Sequence, residues 1–226
     1  GFLAYTESQA LELREDYPFL KVWVAANSCV HARDCVPVEA HPDEVDCFLY
    51  VGRLVDSKKV RLLLKGFIIA RNNKDFPRSI RLVFVGDGKE RPQLERITAS
   101  SGLSECVEFA GHVSCLSKLR EYYKRAICSV SPGYVGLSAT QSFSFGVPML
   151  VACDEFHSPE IEACKEGFNA EFFESDNPQS LAEHLQRMTK EKETLLSKRN
   201  DVSAWTASHY SFDVMRSAIV NAVENA

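Results

Sequence analysis

Ser131-Pro132-Gly133-Tyr134-Val135-Gly136-Leu137-Ser138-Ala139-Thr140-Gln141-Ser142-Phe143-Ser144-Phe145-Gly146-Val147-Pro148 is the stretch from which the fold can be read. It follows an apolar run of strand length, Ala126 to Val130, and another apolar run starts near Val147. The order is strand, glycine-rich loop, short helix over Leu137 to Phe145, strand. Such a unit sets a loop and the positive end of a helix at the carboxyl edge of a sheet, where α/β folds hold phosphate. Gly133 and Gly136 would let the backbone approach a ligand with no Cβ in the way. Tyr134 lies between them. The N–H groups of Leu137 and Ser138, at the helix start, would bind phosphate oxygens. Gln141 lies one turn further in, where its amide can meet a sugar hydroxyl. The plainer alternative is a glycine-rich turn with Ser138 as helix cap and Gln141 on a polar face.

Working outward, the same alternation extends from Cys47 to Phe173. Cys47 to Val51, Ile80 to Val85, Val107 to Ala110, Ala126 to Val130, Pro148 to Cys153 and Ala170 to Phe173 have strand length and composition. Between them the spacing predicts helices over Lys58 to Asn72, Glu90 to Ser101, Leu116 to Lys124, Leu137 to Phe145 and Ser158 to Lys165. Strands alternating with helices imply right-handed crossovers and a parallel sheet with helices on both faces, a Rossmann-like α/β fold. Helices are expected again over Gln179 to Thr189, Glu191 to Arg199 and Phe212 to Val223. The charged run Lys190 to Arg199 suits a solvated face held by local ion pairs. Ahead of Cys47 the chain differs: a strand Phe2 to Tyr5, a helix Glu7 to Asp16, a β-type run Phe19 to Ala25, then an aperiodic linker Asn27 to Asp46 containing Pro37 and Pro42. The expected organisation is residues 1–46, 47–190 and 191–226.

Two other βα turns carry polar signals. Tyr50-Val51-Gly52-Arg53-Leu54-Val55-Asp56-Ser57-Lys58-Lys59 puts a guanidinium and, five residues on at the next helix start, an ammonium at one sheet edge. An anion there would meet both cations and a helix terminus, although surface cations at an ordinary helix start would read the same way. Gly86-Asp87-Gly88 is a tight-turn sequence. It is not a dinucleotide fingerprint, because Arg91 stands where the third glycine belongs. In His157-Ser158-Pro159-Glu160, Ser158 and Pro159 are suited to the N-cap and first helical positions, and His157 and Glu160 are candidates for ligand contact.

The bulk numbers bound the function. The 226 residues are 45% apolar and 25% charged, with net charge −5 and pI about 5.7. No basic stripe with interleaved aromatics points to nucleic acid. No apolar run is long enough to span a bilayer and no signal peptide is visible. The eight cysteines contain no CxxC pair and no zinc spacing. Cys128 and Cys153 fall in or beside expected buried strands. The thiols read as reduced and structural, which suits the cytoplasm; a Cys29–Cys35 pair is open to the chain, but nothing requires it. The start at Gly1, with no initiator Met, reads as a piece of a longer chain carrying a cloning scar.

Taken in order, Arg53 with Lys58, Gly86-Asp87-Gly88, Val107 through Gly111 to Val113, and Ser131-Pro132 through Gly136-Leu137 to Gly146-Val147-Pro148 resemble the C-terminal, donor-binding domain of retaining GT-B glycosyltransferases of the family 4 type. The resemblance covers residues 47 to 185, and the closing helices fit it. It implies that residues 1–46 are a remnant of an N-terminal acceptor domain plus linker. It implies a UDP- or GDP-linked nucleotide-diphospho-sugar as donor, bound in a cleft between two Rossmann-like domains without metal or other cofactor. Arg53 and Lys58 would neutralise the diphosphate and stabilise it as leaving group. Gly52, Gly133, Tyr134 and Gly136 would line the donor, Leu137 and Ser138 would offer N–H groups, and Val113 would meet the base through its backbone. Family members carry two glutamates seven residues apart around the loop; Gly133 and Gln141 stand there in this chain. The implied activity is hexosyl transfer to a glycan or lipid-linked acceptor in surface polysaccharide or lipopolysaccharide synthesis. It would take place in the cytoplasm at the inner face of the membrane, with peripheral association of the full-length protein. The domain alone would bind donor weakly and transfer nothing. Rival readings are a non-catalytic sugar-nucleotide-binding module, a GT-B-type epimerase or phosphorylase, and a dinucleotide oxidoreductase. The last is disfavoured because the first strand leads into Gly-Arg-Leu-Val-Asp.

Overall fold

The computed structural model describes residues 1–225. Its centre is a six-stranded sheet of β3 (Cys47–Val51), β4 (Arg81–Val85), β5 (Val107–Gly111), β6 (Ala126–Ser131), β7 (Met149–Ala152) and β8 (Ala170–Phe173). The spatial order is β5-β4-β3-β6-β7-β8, and every neighbouring pair is parallel. Ahead of it, β1 (Phe2–Ala4) and β2 (Val22–Val24) form a separate two-stranded parallel sheet around α1 (Glu7–Asp16). Thr6 caps α1 by accepting from the Gln9 N–H. Residues 25–46 are irregular apart from two single 3₁₀ turns, Ala32–Asp34 and Pro42–Glu44.

The strands are short, apolar and covered on both sides, as a parallel sheet requires. Side-chain alternation splits the core. Phe48, Tyr50, Leu82 and Phe84 face one side, packed with Leu63, Leu64 and Phe67 of α2 (Val60–Asn72) and Leu181 and Leu185 of α6 (Pro178–Lys190). Leu49, Val83 and Val85 face the other, with Leu119 and Tyr123 of α4 (Leu116–Arg125). There α5 (Ser138–Ser144) lies beside α8 (Arg199–His209). The remaining helices are α3 (Arg91–Ser100), α7 (Lys192–Ser197) and α9 (Phe212–Glu224). The order positions the site: the chain leaves β3 toward β4 and leaves β6 toward β7, on opposite sides. The loops after β3 and β6 diverge and open a crevice between their carboxyl ends.

The structure corrects several expectations. The helix expected over Ser158 to Lys165 is a 3₁₀ turn, Pro159–Ala163. Its exit is pinned by Asn169, whose side chain accepts from the Lys165 N–H at 2.7 Å and donates to the Ala163 carbonyl at 2.9 Å. The whole of α8 escapes the sequence pattern, because it is anchored by buried Arg199, Ser203 and Thr206 as much as by apolar residues. β7 stops at Ala152, so Cys153 is exposed rather than buried in a strand, while Cys128 is buried as expected. All eight thiols are free, Cys29 and Cys35 included. Only Val22–Val24 of the Phe19 to Ala25 run pairs, and Phe19 is exposed. Among the described residues no helix is long and apolar enough to cross a membrane, and no group of three or more His, Cys, Asp or Glu is placed to hold a metal ion.

Candidate functional site

The turn after β3 is built to hold Arg53 and Lys58 at the crevice. Gly52 donates its N–H to Val85 O at 3.0 Å, and Leu54 donates to Asp87 O at 2.9 Å. The Tyr50 hydroxyl donates to Arg53 O at 2.8 Å. Gly86-Asp87-Gly88 is therefore a buttress for the first turn. A Cβ on Gly86 would fall 1.8 Å from Gly52 O, so only glycine fits there, with φ of 151°. Arg53 is exposed at the top of this turn.

Lys58 does not begin α2, as the sequence pattern suggests. It ends a 3₁₀ turn, Asp56–Lys58, and Lys59 separates it from the helix in a left-handed conformation, φ 49° and ψ 34°. Lys59 is held by ion pairs to Glu155 at 2.5 Å and Asp176 at 2.8 Å. This clamp is invisible in the sequence because its members are far apart in the chain. With its neighbour fixed, Lys58 turns inward. It is half-buried, donates to Tyr134 O at 2.9 Å and lies 3.3 Å above the Tyr134 ring centre. Burial, and then the nearby Arg53 charge, pull its pKa down to about 8, with Glu160 acting the other way. Among the described residues no carboxylate is ion-paired with it. Lys58, Tyr50, Tyr123, Ser131 and Ser138 line one small recess at the ends of β3 and β6.

The glycine-rich loop delivers some expected features and not others. Gly133 is buried, and an added Cβ would lie 2.8 Å from Ser57 O and 2.9 Å from Lys58 C. The clash it avoids is with the Lys58 turn, not with a ligand, and a glutamate at this position would not fit without moving that turn. Gly136 has room for a Cβ, whose nearest neighbour would be Ser158 Oγ at 3.9 Å. Tyr134 contributes its carbonyl and ring to Lys58. Leu137 is the N-cap of α5 and Ser138 its first residue, with no side-chain cap bond, so Ser138 is not the cap. The N–H groups of Leu137 and Ser138 have no acceptor among the described residues. The Gln141 Oε1 accepts from the buried Tyr123 hydroxyl at 3.3 Å, which turns that oxygen toward the core. Val113 is half-buried in the loop after β5 and packs with the α4 side of the core.

His157 is a structural residue: its Nδ1 accepts from the Val135 N–H at 3.0 Å, so the proton sits on Nε2, which donates to Ala152 O at 3.0 Å. Glu160 is 5% exposed, with Oε1 accepting from Asn27 Nδ2 at 2.6 Å and Oε2 without a partner among the described residues. The structure thus brings Arg53, Lys58, Tyr134, Leu137 and Ser138 to one corner. It adds Tyr123 to that corner, while Lys59 fastens the Lys58 turn and Asn27 holds Glu160; no local motif marks these three.

The chain matches the Glycosyl transferases group 1 family over residues 35–204. It is 25% identical over 160 residues to an alpha-monoglucosyldiacylglycerol synthase of Acholeplasma laidlawii, spanning 69% of this chain and 38% of that protein. A point mutant of S. aureus TarM, in complex with fondaparinux, alpha-GlcNAc-glycerol and UDP, superposes with a TM-score of 0.76 at 15% identity, covering 100% of this chain and 44% of TarM. HepE of Anabaena, in complex with UDP and glucose, gives 0.73 at 14% identity, covering 99% of this chain and 62% of HepE. The lipopolysaccharide outer core galactosyltransferase WaaB, in its apo form, gives 0.71 at 20% identity, with 98% and 60% covered. The chain therefore spans less than two thirds of the length of each of these proteins.

Proposed function

This chain belongs to the glycosyl transferases group 1 family, and from that premise we propose that it binds the donor of the reaction, a nucleotide-diphospho-sugar, in the crevice between β3 and β6. The observation that carries this reading is Lys58: a half-buried ammonium at the sheet's switch point, held by a carbonyl and an aromatic face rather than by a carboxylate. A diphosphate would supply the missing counter-charge, with Arg53 closing on its outer side and the N–H groups of Leu137 and Ser138 meeting its oxygens. When the bond from the anomeric carbon to the phosphate oxygen breaks, negative charge grows on the departing diphosphate. Arg53 and Lys58 stand where that charge develops, so they favour the transition state over the bound donor. Val113 would meet the base and Gln141, through its free amide nitrogen, a ribose hydroxyl.

We assign the whole protein to transfer of a hexose, with retention, from a UDP- or GDP-linked donor to a glycan or lipid-linked acceptor. An alpha-monoglucosyldiacylglycerol synthase and a lipopolysaccharide outer core galactosyltransferase among the relatives support a membrane-lipid or surface-glycan product. That product in turn supports action at the cytoplasmic face of a membrane.

The test is a thermal-shift panel of UDP, GDP and ADP. One of them should raise Tm by about 5–10 °C at a hundredfold excess over its Kd. The double variant Arg53→Ala, Lys58→Ala should lose that shift, and a shift unchanged in the double variant overturns the assignment.

A further inference from the structure

Glu160 is a buried carboxylate with an oxygen that no described residue satisfies. The turn Pro159–Ala163 is stitched to the glycine-rich loop: Ser158 donates its N–H to Val135 O at 3.1 Å, and His157 accepts from the Val135 N–H. Across the carboxylate lies the segment entering the donor domain. Asn27 holds Oε1, and two residues on, Cys29 Sγ donates to Leu137 O at 3.6 Å and contacts Thr140 Oγ1. Glu160 is therefore enclosed by the incoming linker and the first turn of α5, beside the glycine-rich loop whose Tyr134 carbonyl holds Lys58. Oε2 remains inside this enclosure with no donor among the described residues, and the residue as a whole is 5% exposed. A buried carboxylate oxygen without a donor is costly, and native interiors rarely keep one without a use for it.

We propose that Glu160 reads the transferred sugar: its Oε2 accepts a hydrogen bond from a hydroxyl of the sugar whose diphosphate Lys58 holds. The inference rests on the diphosphate reading given above. Its chemistry follows from charge. A carboxylate repels the phosphates, so the part of the donor that meets it must be a neutral hydrogen-bond donor, and a sugar hydroxyl is the neutral donor attached to that end of the diphosphate.

The experiment measures Kd calorimetrically for UDP and GDP and for their glucose, galactose, N-acetylglucosamine and mannose esters. It uses the wild type, Glu160→Gln and Asn27→Ala. In the wild type one sugar ester should bind more tightly than its bare diphosphate. Glu160→Gln should weaken that ester about tenfold and leave the bare diphosphate within about twofold, as expected for one charge-assisted hydrogen bond. Asn27→Ala keeps the carboxylate and should keep most of the preference for the ester. Equal loss for ester and bare diphosphate in Glu160→Gln would place the contact on the ribose or on Lys58 and overturn the inference. So would loss of the preference in Asn27→Ala, which would make Glu160 only a fastener of the linker, or a wild type with no preference for any ester. No binding of either diphosphate would instead overturn the diphosphate reading itself.

Discussion

Lys58 ties burial to a pH response. Its pKa of about 8 in the free protein means that the ammonium is present at neutral pH and is shed as pH rises through that value. A bound diphosphate favours the ammonium and raises the pKa of the complex. Between the free and bound values, binding must take up a proton, so affinity falls as pH increases. The expected outcome is a diphosphate Kd nearly flat from about pH 6.5 to 7.5 that then rises by up to about tenfold per pH unit above about pH 8; a Kd that stays flat well beyond that range would contradict it. Gly133 gives a steric counterpart. Gly133→Ala puts a methyl against the Ser57 and Lys58 backbone, so it should cost about 1–3 kcal/mol of stability and weaken diphosphate binding. Gly136→Ala, with open space around it, should stay within about 0.5 kcal/mol of the wild type in stability by denaturant melting. The cations Arg53 and Lys58 were legible because each follows a strand at a fixed offset. The meaning of Gly133 was not, because its crowding comes from a turn far away in the chain. The buried state of Glu160 was hidden likewise, since Asn27 lies in a different segment.

At the scale of elements, the strands were the most legible part. β3 and β8 have the expected ends, and the other strands of the main sheet differ by a residue or two, because continuous apolar runs between turn residues leave few alternatives. α8 was not legible. Its role rests on Arg199, 4% exposed, whose guanidinium donates to Val38 O at 3.0 Å and Ala126 O at 2.6 Å. One side chain thus joins the linker, the start of β6 and the closing helices, and burial pulls its pKa down to about 10. The carbonyls it serves are buried, and losing their donor is what the substitution tests. Arg199→Met leaves them without donors and should cost about 2–4 kcal/mol, a drop in Tm on the order of 5–15 °C. A loss below about 1 kcal/mol would show that the linker is held by other contacts.

Over the whole molecule, function follows from strand order. Because β3 and β6 are neighbours whose connections run opposite ways, the Arg53–Lys58 turn and the glycine-rich loop face each other across one crevice, although Lys58 and Tyr134 stand 76 positions apart in the chain. Alternation of elements predicts a parallel sheet but not which strands become neighbours. That adjacency entered through the resemblance of four ordered motifs, and the structure bears out the fold they imply. The central claim is that a diphosphate docks in this crevice. A crystal structure of the chain with the nucleoside diphosphate that stabilises it most is the direct measurement. The account predicts phosphate density within hydrogen-bond reach of Lys58 Nζ and of the N–H groups of Leu137 and Ser138, with the Arg53 guanidinium turned toward it. An empty crevice with the nucleotide bound elsewhere would contradict it.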